Sequence, residues 1–135
     1  MKRVAQVVVL LFVIGGASHP ARAVRPCDNV DRSLTVDEKA TLAPVIARQL
    51  DAQKVDVMGS FRLVGWIILY VDSHQADDAF LFYSHNPLRN RYLTMWGGAA
   101  TVDEEPDIRA WILKNAPGIP PKLASCFAWY VTHAR

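Results

Sequence analysis

The chain has 135 residues, of which 51% are hydrophobic and 21% charged, with a formal net charge of +2. This length suits one domain around one core. A charge so near zero lacks the basic surplus of a nucleic-acid binder, so no nucleic-acid partner is expected.

The chain opens with Lys2 and Arg3, followed by an unbroken apolar run from Val7 to Ile14. That run is far short of the roughly 20 apolar residues that span a bilayer. Small residues follow, then Ala21-Arg22-Ala23. A basic start, a short apolar run and an A-x-A site define a secretory signal peptide over residues 1–23. The expected mature chain is residues 24–135, a single exported domain, periplasmic or secreted, with no membrane anchor after cleavage. Losing Lys2, Arg3 and Arg22 leaves 12 basic against 13 acidic residues, a net charge of −1.

The only two cysteines are Cys27 and Cys126, near the two ends of that domain. In an oxidising compartment such a pair forms one structural disulfide, which brings the chain ends together.

Between the cysteines, Thr35-x-x-Glu38 is a capping box that starts a helix. Leu42, Ile46 and Leu50 follow at four-residue spacing and give it one apolar face. Pro44 lies inside this pattern and is expected to kink or split it. From Val55 the period shifts towards two. Strands are predicted near Val55–Leu63, Trp66–Asp72, Ala79–Ser84 and Arg91–Gly97, joined by turns short enough for an antiparallel meander. A second helix begins at the acidic run Asp103, Glu104, Glu105 and Asp107, whose charge suits a helix start, and stops at Asn115–Gly118. The tail "CFAWYVTH" fits either helix or strand; its aromatic and β-branched content favours a last strand. The expected fold is α+β, with an antiparallel four- to five-stranded meander flanked by two helices and tied by one disulfide.

Most side chains able to do chemistry lie in "YVDSHQADDAFLFYSHNP", from Tyr70 to Pro87. A hairpin here pairs Tyr70 with roughly Leu81 and Trp66 with His85. It leaves His74 in the turn and His85 beyond the far end of the strand, roughly 20 Å apart. Zinc–nitrogen bonds are only about 2.0–2.1 Å, so the two rings cannot share an ion. Asp72, His74, Asp77 and Asp78 remain weak metal candidates within one turn, but that turn lacks the ordered carboxylates and glycine of a calcium loop. Ser73–His74 and Ser84–His85 are sequence neighbours, and strand neighbours point to opposite faces. No nucleophile elbow, glycine-rich phosphate cradle, HExxH or CxxC occurs, and no cofactor is expected.

The segment "SHNPLRNRY" offers a recognition edge instead. His85, Arg89, Arg91 and Tyr92, with Trp66 predicted nearby, combine guanidiniums and rings of the kind found at interface hot spots. The two central strands are also apolar on both faces, so each face needs a cover: the helices on one, the tail on the other, or a partner chain or second copy. Trp66, Ile68, Tyr70, Leu81 and Tyr83 are expected on one face, with Ile67, Leu69, Val71, Phe80 and Phe82 on the other.

These features favour a small non-catalytic binding protein whose partner is another exported protein, as for inhibitors or immunity proteins. The alternatives are an enzyme with a dispersed acid–base site drawn from Asp72, His74, Asp78 and His85, or a binder of small ligands or metal ions.

Overall fold

A computed structural model describes residues 24–135. The segment expected to be a signal peptide, residues 1–23, lies outside them. The elements run α1 (Val36–Leu50), β1 (Asp56–Leu63), β2 (Trp66–Asp72), β3 (Ala79–Tyr83), β4 (Thr94–Gly97), α2 (Glu105–Asn115) and α3 (Pro121–Trp129). The strands form one antiparallel sheet in the order β1-β2-β3-β4. This is the expected α+β meander, with one helix more than expected. Among the described residues no helix is long and apolar enough to cross a membrane.

The capping box forms as the sequence dictates: Glu38 N–H donates to Thr35 Oγ1 (3.1 Å) and Thr35 N–H donates to Glu38 Oε2 (2.8 Å). Pro44 does not split α1, which is continuous. Pro44 and Ala40 are both exposed, so the carbonyl that loses its amide partner faces water. Asp51 ends the helix in a left-handed conformation (φ 53°), a position usually given to glycine.

The faces of the sheet are set by register. Leu69 pairs with Leu81 and Tyr70 with Phe80, one residue away from the expected Tyr70–Leu81 pairing. A slip of one residue changes which side chains share a face. Trp66, Ile68 and Tyr70 therefore join Phe80 and Phe82, whereas Ile67, Leu69 and Val71 join Leu81 and Tyr83. β1 changes parity midway. Val57 pairs with Val71 but Gly59 with Tyr70, leaving Met58 as a bulge. The extra residue lets Val57 point to one core and Phe61 to the other.

The covers also differ from expectation. α1 alone lies on the Leu69–Leu81 face, while α2 and α3 together cover the Phe80–Phe82 face. The tail expected as a strand is α3, followed by a π-helical turn over Tyr130–Ala134. Pro121 at the first helical position suits a helix start. Leu123, Ala124, Phe127, Ala128 and Val131 are then buried at helical spacing. Packing against the sheet outweighs the strand preference of the aromatic and β-branched residues. Phe127 is central, with edge-on contacts to Phe61 (6.2 Å), Phe80 (4.9 Å), Phe82 (5.1 Å) and Trp96 (5.6 Å). The Cys27–Cys126 disulfide forms, with 4.5 Å between Cα atoms, and ties the start of the domain to α3.

Candidate functional site

A mostly apolar groove lies on the α1 face. The acidic start of α1 reaches β1, where Glu38 pairs with Arg62 at 3.0 Å. Its far end reaches β3, where the Tyr83 hydroxyl donates to Gln49 Oε1 at 2.9 Å. The helix thus crosses the strands and leaves part of the sheet uncovered near the β1–β2 turn. There a groove of about 530 Å³ runs between Asp37, Glu38, Thr41 and Leu42 of α1 and the strand residues Arg62, Ile67 and Leu69. The turn residue Gly65 and the loop Asn86–Leu88 complete it.

Each wall has a local cause. The loop is folded on Asn86, whose side chain accepts from Leu88 N–H (2.9 Å) and whose carbonyl accepts from the amides of Arg89 and Asn90 (3.1 Å each). It is pinned to α1 by Gln49 Nε2, which donates to the carbonyls of Pro87 (3.1 Å) and Asn90 (3.0 Å). Arg91 completes the pin by donating to the Gln49 carbonyl at 3.1 Å, close to the negative end of the helix. Burial pushes the Tyr83 phenol well above its ordinary range, so it stays a neutral donor to Gln49.

Of the lining residues Leu88 is 43% exposed; Val36 and Val64, next in sequence to the lining residues Asp37 and Gly65, are 81% and 82% exposed. Val64 (φ 49°) and Gly65 (φ 78°) are consecutive left-handed residues. That is the pattern of a I′ hairpin turn, which favours Asn-Gly. A β-branched residue there is a genuine outlier costing of the order of 1–3 kcal/mol. On the acidic rim Glu38 is neutralised by Arg62, and no ion pair reaches Asp37 among the described residues.

The residues expected at a recognition edge are distributed over both sides of the sheet. Trp66 is buried in the α2/α3 core, near Gly118. Tyr92 packs half-buried on the α1 core, edge-on to Tyr83 at 6.4 Å. Arg91 is engaged with Gln49, whereas Arg89 and His85 are exposed. β3 ends at Tyr83, so Ser84 and His85 are not strand neighbours. Their side chains meet, with Ser84 Oγ 2.8 Å from His85 Nδ1, contrary to the expectation that they diverge.

His74 and His85 sit at opposite ends of the sheet. His74 adjoins the Asp56–Asp72 pair that closes one end, and His85 follows β3 at the other. His74 is left-handed (φ 57°). Its ring places Nε2 2.8 Å from Asp56 Oδ2 and Nδ1 3.2 Å from Asp72 Oδ2. The hydrogen bond to His74 holds the Asp56 carboxyl below its usual range, helped by Lys54 at 3.4 Å. Of the four turn candidates, only Asp72 and His74 meet. Asp78 instead accepts from the Tyr70 hydroxyl at 2.7 Å, and Asp77 is exposed. Among the described residues no group of three or more His, Cys, Asp or Glu is placed to hold a metal ion.

Sequence inspection misses Gln49, Val64 and Leu88. Gln49 carries no signal in an amphipathic helix. Val64 is visible only as an apolar residue before glycine in a predicted turn. No protein-family model, curated protein or solved structure matches the chain.

Proposed function

We propose that this protein is a small exported binding protein without catalysis, and that its α1-face groove receives an apolar side chain from another exported protein. The groove and its rim carry the proposal. Leu42, Ile67, Leu69, Pro87 and Leu88 offer an apolar recess, and a strained, exposed Val64 adjoins its lining residue Gly65 in the hairpin turn. Keeping a costly valine where asparagine fits better is understandable if that side chain touches a partner. Asp37 suits a basic residue beside the inserted side chain. Export rests on the leader-like segment and is compatible with the disulfide.

A dispersed acid–base site has less support. His74 is held between two carboxylates, His85 is hydrogen-bonded to Ser84, and neither lines the groove.

The test is capture from the exported fraction of the source cells, using oxidised wild type and Leu88→Asp as baits. One discrete protein retained by wild type and lost with Leu88→Asp, at unchanged circular dichroism, is the expected outcome. Equal retention by both baits, or no discrete partner for wild type, overturns the proposal.

A further inference from the structure

At the end of the sheet away from Val64, the β2–β3 turn, the end of β4 and the tail converge on a second hollow. It is a cleft of about 680 Å³ between Asp77 and Asp78 of the turn, Gly98 beyond β4 and Arg135. Its other walls are three alanines and a valine, too short to fill it. The lining is mostly polar, and no residue lines both this cleft and the α1-face groove.

One guanidinium already sits here. Arg135 donates from Nη1 to the Gly98 carbonyl at 2.7 Å. Its Cζ is 5.2 Å from the Tyr70 ring centre and 5.4 Å from that of Phe80, inside the range of cation–π attraction. A carbonyl, a carboxylate and ring faces are the groups that recognise a guanidinium. The fit is incomplete, however. Arg135 Nη2 stays 3.9 Å from Asp78 Oδ2, too far for a hydrogen bond, and that oxygen accepts from the Tyr70 hydroxyl at 2.7 Å. Asp77 is exposed, and among the described residues no ion pair reaches it. The tail's other basic side chain, His133, lies against Glu105 at 3.5 Å instead. Two carboxylates therefore face one guanidinium.

We infer that this cleft binds a guanidinium-bearing ligand, and that Arg135 is the built-in competitor which the ligand displaces. The surplus of negative charge selects a cation over an anion. A free guanidinium, unlike one tied to the turn before it, can lay its planar fork across Asp77 and the remaining oxygen of Asp78. The Gly98 carbonyl and the Tyr70 ring then receive it as they receive Arg135. An ammonium brings a point charge without a fork, so it is held less well.

Titration of the purified, oxidised protein with agmatine, followed by amide chemical shifts in two-dimensional NMR, tests this. Wild type is expected to bind weakly and Arg135→Ala about tenfold more tightly, as when a competitor filling the seat about nine-tenths of the time is removed. The amides that shift should be those of residues 77–79 and 98–100, with α1 unmoved. Adding Asp77→Asn to Arg135→Ala should weaken binding about fivefold or more at an unchanged melting curve. Cadaverine, with an ammonium in place of the guanidinium, should bind less tightly than agmatine. A blocked Ala-Arg-Ala peptide separates the two sources of the group: tighter binding than agmatine indicates an arginine within a protein, weaker binding a free guanidino compound. No saturable shift of Arg135→Ala up to about 10 mM agmatine overturns the inference. So does equal affinity of wild type and Arg135→Ala, binding undiminished by Asp77→Asn, or cadaverine binding as tightly as agmatine.

Discussion

On the side of α2 and α3 the sheet is packed by rings. Phe61, Phe80, Phe82 and Phe127 are all fully buried, and the disulfide ties the chain's start to the helix that carries Phe127. On the side of α1 it is packed mostly by aliphatic residues, with one amide joining helix, strand and loop through Tyr83, Pro87 and Asn90. A single helix cannot cover a four-stranded sheet, so that side keeps a groove. The comparison teaches that one face concentrates the packing that makes the fold stable. The other is free to carry strained and exposed apolar residues. Marginal proteins tolerate such features only where the rest of the structure holds them in place.

The largest expected effect comes from removing the covalent tie. Replacing Cys27 and Cys126 by serine opens a link between residues 99 apart in sequence. On the chain-entropy model this costs about 4–5 kcal/mol, measured by urea unfolding. Phe127→Ala is expected to cost about 3–5 kcal/mol, because four aromatic neighbours lose contacts. Leu42→Ala is the matched truncation on the other face. It should cost only about 2 kcal/mol, since Leu42 lines a groove already open to water. Equal losses for these two would break the division between the faces.

Gln49→Ala leaves the buried Tyr83 hydroxyl without its acceptor and should cost about 1–3 kcal/mol. Its more specific signature is faster hydrogen exchange at residues 86–91, with exchange in α3 unchanged. Val64→Asn is expected to work the other way, raising stability by about 1 kcal/mol as left-handed strain is relieved. Paired with weaker partner capture, that gain would identify Val64 as a functional compromise. A stabilised variant with undiminished capture would remove Val64 from the site.

The smallest effect concerns pH. The Asp56 carboxyl is held below its ordinary value of 3.8 chiefly by the hydrogen bond to His74. A depressed folded-state pKa adds stability that is complete above the unfolded value. That stability fades as pH falls below about 4 through the folded value. Asp56→Asn should flatten this acid limb in unfolding curves taken from pH 6 down to 2, by lowering stability slightly at pH 6 and leaving it little changed at pH 2.

Much of this fold was legible in the residues themselves. Thr35 and Glu38 announce the first helix, and the hairpin from Trp66 to Tyr83 follows from apolar runs around a polar turn. The two cysteines meet because nothing else in the chain can pair with them. What was not legible depends on parity and on tertiary contact. A turn longer or shorter by one residue reverses which side chains share a face, and no local preference fixes the length of the Ser73–Asp78 turn. The Met58 bulge is equally silent. Phe127 and its neighbours read as strand formers until a sheet face is available to bury them at helical spacing. As for the groove, Arg91 and the 86–90 loop lie where a recognition edge was expected. Gln49, which holds them, is an unremarkable helix residue until its partners in distant segments are known.

Photo-crosslinking compares the two faces most directly. A benzophenone amino acid placed at Leu88 on the groove rim, or at Leu113 on α2, tests each with a similarly exposed starting residue. A discrete adduct in the source cells from position 88, and none from position 113, is the predicted result. An adduct from position 113 alone, or equal yields from both, would contradict the assignment of recognition to the α1 face.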